Sequence, residues 1–125
     1  MPVYTGRTDT YLAKELQNGS FFPAIAVGDF ERDYRVPTEF VEATVIDNLL
    51  LAMVEINIAL TEQRTAWEAD GYATLNDVPG EEIGETDNLK KINIINYNRA
   101  VFCKAKQMLL QQFASMAPRE QSDNA

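Results

Sequence analysis

Nothing in the sequence breaks a helix between Pro37, which suits a first helical position, and Gly71. The run predicts one helix of roughly 30 residues, about 50 Å long. At about 100° per residue, Val45, Leu49, Met53, Ile56, Leu60 and Trp67 fall on one apolar stripe, and Leu50, Leu51, Val54 and Ile58 on a second, separate one. Only a narrow face holding Asn48, Glu55 and Glu62 reads as wet. A helix with so little polar surface has to be covered on two sides, and any fold for this chain must supply both covers.

One cover is a second helix, predicted from about Asn88 to Met116 with Asp87 as N-cap and Pro118 as terminator. Its apolar face is Ile94, Tyr97, Val101, Ala105, Met108, Leu109 and Met116, with Ile95, Phe102 and Phe113 at one margin. That helix covers one stripe. The other needs an N-terminal arm, a second copy of the chain or another protein. Between the helices lies GYATLNDVPG, where Gly71 supplies a left-handed stop and Val78, held extended by Pro79, forbids an immediate new helix. Leu75 and Val78 can then point inward, and Asp77, Val78 and Pro79 form a stiff corner, followed by an acidic loop from Glu81 to Asp87. The predicted fold is all-α: two long helices of antiparallel type (residues 37–117) joined by a Gly/Pro corner, an extended N-terminal arm (residues 1–36) and a short polar tail (residues 118–125).

The arm shows no sustained helical period, and Asn18-Gly19-Ser20 reads as a turn rather than a glycosylation site. It is too aromatic for a disordered tail. Tyr4, Tyr11, Phe21 and Phe22 are arranged as anchors, with Pro23 stiffening the backbone after the two phenylalanines, and the segment is expected to lie on a neighbouring subunit or partner. For Phe22 the alternative, capping this subunit's own helices, is equally open.

Composition removes most chemistry. A formal net charge of -8 argues against wrapping nucleic acid, which needs a basic face. There is no histidine to act as base or ligand, so Glu55 and Glu62, one heptad apart, lack the partner that helical metal sites use. The loop from Asp77 to Asp87 has proline where a calcium loop needs its third ligand, and Cys103 has no histidine to activate it. No cofactor, metal or enzymatic activity is expected. The longest apolar run, LLLAMVEINIAL, contains Glu55 and Asn57, so no membrane span is expected, and the reading is a soluble intracellular chain. Charge is also divided along the chain. Asp29 to Asp87 holds 15 acids against Arg32, Arg35 and Arg64, whereas Asn88 to Ala117 holds Lys90, Lys91, Arg99, Lys104 and Lys106 and no acid. Two readings stay open: pairing within one chain, or head-to-tail contact in which Arg99 and Lys106 face acids of the next copy, a geometry that closes into rings.

GYATLNDVP, preceded by IALTEQRTAWEAD and followed by INIINYNRAVFCKAKQMLL, resembles the head completion (head-tail connector) proteins of contractile-tailed temperate phages. The FFP at Phe21 to Pro23 resembles a family feature upstream of the first helix, so the likeness spans roughly residues 21 to 113. It implies a non-enzymatic virion protein, assembled in the host cytoplasm and docked below the portal protein at the head-tail junction as a ring, with twelve copies the family expectation. It also implies a surface for a tail-side connector or terminator protein and a channel through which packaged DNA passes. Relatives continue beyond the second helix into a basic and aromatic segment, where this sequence reads APREQSDNA. The competing reading is a helical regulatory or chaperone-like binding module that uses the second apolar stripe, with Leu50, Val54 and Ile58, as a groove.

Overall fold

A computed structural model describes residues 14–37 and 40–124, the last ten of these by their backbone alone. The helical core is an antiparallel pair. Helix α2 (Glu42–Ala59) turns Val45, Leu49, Ala52 and Met53 inward, and α4 (Ile92–Asn124) meets it with Tyr97, Val101, Ala105 and Leu109. Contacts from Asn48 to Gln112, Glu55 to Lys104 and Asn57 to Tyr97 run in opposite order along the two helices. The small residues Ala52 and Ala105, both fully buried, let the helices approach.

The expected single helix from Pro37 to Gly71 is two. Helix α2 begins only at Glu42 and ends at Ala59, and α3 (Thr61–Ala69) continues at 61° to it after Leu60. No glycine or proline marks the bend. At the bend the Thr61 hydroxyl donates to the Asn57 carbonyl at 3.3 Å, a back-bond of the kind that accompanies bent helices, and within α3 that of Thr65 donates to the Thr61 carbonyl at 3.0 Å. Because of the bend, Trp67 reaches back onto Phe21.

The all-α expectation is also corrected. Besides four α-helices, the described residues form two small antiparallel sheets. In the first, β1 (Glu15–Leu16) pairs with β2 (Ile25–Ala26), Glu15 opposite Ala26 and Leu16 opposite Ile25, around a turn with Gly19 at φ +71°. Helix α1 (Val27–Asp33) follows directly and buries Val27 and Phe30. Over residues 14–36 the extended arm is thus a folded unit, and Phe21, Ile25, Val27 and Phe30 are among the most buried side chains of the core. Strands of two residues are too short to show a period-2 pattern, which is why they escape a sequence reading. In the second sheet, β3 (Glu82–Glu85) pairs with β4 (Asn88–Lys91), so the expected acidic loop is a hairpin and α4 starts at Ile92 instead of Asn88. Nor does Pro118 end α4, which runs on to Asn124: a proline removes one bond from a helix that is already long.

At the corner, Gly71 adopts φ +99°, a 3-10 turn spans Leu75–Asp77, and Leu75 and Val78 are buried. The Leu75 amide donates to the Phe21 carbonyl at 2.9 Å, tying corner to N-terminal unit, and Asp77 and Val78 donate to Thr74 and Leu75 inside the turn. The Asn93 amide lies against the Val78 and Pro79 carbonyls at 3.5 and 3.4 Å, locking the corner to the first turn of α4. Leu75→Ala opens a cavity where three segments meet, and should lower the free energy of unfolding by about 2–5 kcal/mol in urea titration. An unchanged midpoint would show that the corner merely rests on the surface.

Candidate assembly interface

The outer face of α2 is where the described chain leaves apolar surface open. Leu50, Leu51, Val54 and Ile58 are 41, 55, 54 and 67% exposed, although they sit one helix face away from the core residues Leu49, Ala52 and Met53. The N-terminal unit of residues 14–36, which could have covered them, docks elsewhere. Phe21 stacks on Trp67 at 6.0 Å and meets Phe22 edge to face at 5.2 Å; Phe22 stacks on Tyr97 at 4.7 Å; Phe30 lies 5.4 Å from Phe102. The Arg64 guanidinium caps the pair, 5.4 Å from the Phe21 ring and 5.9 Å from that of Phe22. Phe21 and Phe22 are therefore placed as anchors within this chain, on the seam between α3 and α4. Tyr4 and Tyr11 lie outside the described residues.

A closed polar knot holds that unit in register. The Asn18 side-chain amide donates to the Tyr97 hydroxyl at 2.8 Å and to the Pro23 carbonyl at 2.9 Å, the Tyr97 hydroxyl donates to Asn57 Oδ1, and the Asn57 side-chain amide returns to Asn18 Oδ1 at 2.9 Å. Sequence reasoning missed it. Asn18 reads as a turn residue, and the only signals were an asparagine interrupting an apolar run at position 57 and a tyrosine on the apolar face of α4. Asn48, read as fully wet, is likewise buried and donates to the Thr44 carbonyl at 2.8 Å and to Gln112 at 3.3 Å. Beneath the bend a groove of about 290 Å³ remains, lined by Ile56, Leu60, Trp67, Leu75, Tyr97 and Ala100.

The two basic residues offered for subunit contact have different surroundings. Arg99 is exposed. Lys106 instead donates to the Tyr34 carbonyl and lies 3.5 Å from that of Arg35, whose φ of +49° turns the chain away after α1. It acts as a cationic cap on the carbonyl end of that helix. It also borders a shallow groove of about 480 Å³ with Tyr34, Cys103, Gln107 and Leu110. Burial of its ring, and Cys103 beside it, push the Tyr34 phenol above the ordinary tyrosine value. Charge is used within the chain elsewhere too: Lys104 pairs with Glu55 at 3.4 Å across the α2–α4 seam and Lys14 with Glu42 at 3.0 Å. Exposed pairs of this kind are worth about 0–1 kcal/mol each, so they orient the helices and do not hold them.

The described residues contain no group of three or more His, Cys, Asp or Glu side chains able to hold a metal ion. No single helix among them is long and apolar enough to cross a membrane. What the described surface offers is exposed apolar area. The "Phage head completion protein (GPL)" family model matches residues 16–125, nearly the whole sequence, and the chain belongs to this family. It is 22% identical over 122 residues to a "Probable head completion/stabilization protein" of Haemophilus phage HP1 (strain HP1c1), covering 98% of this chain and 79% of that relative. No solved structure is a significant match.

Tyr97→Phe removes the hydroxyl at the centre of the knot and leaves two asparagines short of a partner, which should cost about 1–3 kcal/mol in urea unfolding at neutral pH. The variant also alters the alkaline limb. Burial pushes the Tyr97 phenol up, while its hydrogen bonds with Asn18 and Asn57 pull the other way. The neutral form is thus favoured in the folded state, so its stabilisation is complete below the unfolded tyrosine value of about 10 and is lost as pH rises through the folded one. Wild type should lose stability more steeply above pH ~10 than Tyr97→Phe; parallel curves would place the hydroxyl in contact with water.

Proposed function

We propose that this phage head completion protein works as a ring-forming, non-enzymatic adaptor on the portal of a DNA-filled head. There it closes and stabilises the vertex and presents the surface to which a tail-side protein joins. The observation that carries this reading is the open stripe of Leu50, Leu51, Val54 and Ile58. Monomeric proteins rarely leave contiguous apolar surface of this kind uncovered, and here the N-terminal unit is committed elsewhere. A ring offers each copy a neighbour on both sides, so a stripe on one side and a different surface on the other are both covered by one repeated contact. The chain's net charge of -8 suits a channel wall past which DNA moves without adhering. Twelve copies, matching the portal, is the number this reading takes from the family resemblance. The regulatory-module alternative loses its support with the family membership, because nothing in the fold favours it independently.

The test is the assembly state of the full chain, alone and with the portal protein of the same phage, by sedimentation velocity and electron microscopy. Wild type should form rings or load onto portal as rings. Val54→Asp combined with Ile58→Asp changes only exposed positions, so it should keep the wild-type melting temperature while raising the concentration for half-assembly at least about tenfold, the equivalent of 1.4 kcal/mol. A wild-type chain that stays monomeric at all concentrations and ignores portal would overturn the reading.

A further inference from the structure

The hairpin of β3 and β4 does nothing visible for the fold it belongs to. Every residue from Glu82 to Lys90 is exposed, and neither face packs on the core. A lone two-stranded hairpin of this length is marginal in water. Yet its geometry is specified: Gly84 stands at φ +132°, and a Cβ there would come within 2.8 Å of the Asn88 carbonyl oxygen, so a side chain is excluded at that position. The root is fixed as well, by the Lys91 ammonium on the Asn76 carbonyl at 2.6 Å and by the Ile92 amide on the Glu81 carbonyl at 2.8 Å.

That last bond sets the phase of the ladder. Residues 81 and 92 form a hydrogen-bonded pair, and in an antiparallel ladder such pairs alternate with open ones. Ile83 with Lys90 and Glu85 with Asn88 are then bonded inside the hairpin. The backbone groups of Glu82 and Gly84 point outward from one edge, and those of Leu89 and the Lys91 amide from the other. The two edges also differ in charge. Glu81, Glu82 and Glu85 line the β3 side and Lys90 and Lys91 the β4 side, and none of the five enters a salt bridge among the described residues.

We infer that the hairpin is an intersubunit strand-pairing element: the basic β4 edge of one copy takes the acidic β3 edge of the next. The occupant is a second copy of this chain because each hairpin carries both complementary edges. The contact is head to tail, so it repeats around a ring without leaving an edge over, and successive strands alternate in direction. Acid and base fall on both faces of the hairpin: Glu82 and Lys91 share one face, Glu85 and Lys90 the other. The charges therefore meet their opposites on both sides of the joined sheet. This inference rests on the ring reading but uses a surface separate from the α2 stripe.

Hydrogen exchange followed by mass spectrometry on the full-length wild type, as monomer and as assembled ring, tests it without any substitution. Amides of residues 82, 84 and 89 should exchange freely in the monomer and slow at least about tenfold on assembly. Leu89→Pro deletes one outward N–H and no bond inside the hairpin, so its melting temperature should stay at the wild-type value. Half-assembly should need about tenfold more protein, on the scale of one lost hydrogen bond per contact. Lys90→Glu is a second, backbone-neutral variant that should weaken assembly in low salt more than in high salt. Rings that form with the hairpin amides still exchanging freely overturn this inference and leave the ring reading standing. Protection that arises only when portal or a tail-side protein is added overturns it in favour of a partner's strand. Absence of any ring overturns both.

Discussion

Three segments far apart in sequence are held together by one closed set of hydrogen bonds, Asn18 to Tyr97, Tyr97 to Asn57 and Asn57 to Asn18. Around it the aromatic stack of Trp67, Phe21, Phe22 and Tyr97 supplies the area, while the knot supplies the direction. Buried polar groups tolerate few arrangements because each unpaired one carries a desolvation cost, so the knot selects one docking of the N-terminal unit on α2 and α4 where apolar contacts alone would permit several. The same asparagine, Asn57, gives its backbone carbonyl to Thr61. Asn57 thus takes part both in the docking of residues 14–36 and in the bonding at the α2–α3 bend.

That docking decides which surface is left over. With Phe21, Phe22, Ile25 and Phe30 committed to the inner seam, the described chain has nothing for the outer stripe of α2. A different unsatisfied surface is carried by the hairpin that precedes α4, with its two open edges. On the function proposed above, the apolar face and the complementary pair of strand edges are the surfaces by which this protein sits among copies of itself.

The charge division along the chain has a more modest role than its extent suggests. Lys104 and Lys14 answer acids of the same chain, and Lys106 caps α1; on the proposed assembly, Arg99, the basic hairpin edge of Lys90 and Lys91 and the acidic edge are the groups that meet a neighbour. Electrostatics of this exposed kind selects partner and orientation more than it contributes affinity.

The sequence by itself determined the two apolar faces of α2, the inward face of α4 and the positions of the corner residues. Helical periodicity is local, and the turn chemistry of Gly71 and Pro79 acts within a few residues. It also carried the family resemblance, since GYATLNDVP and the FFP segment are contiguous strings. Only the tertiary structure decided which stripe is covered. It alone showed that residues 14–36 are core rather than arm, that Asn48 and Asn18 are buried, and that the acidic loop is a hairpin. Those features depend on contacts across 39 to 79 residues of chain, or on strands of two to four residues dominated by small or charged side chains, and neither leaves a periodic trace. A single helix can report how many faces it must bury; which partner reaches each face first is settled by geometry that the faces themselves do not encode.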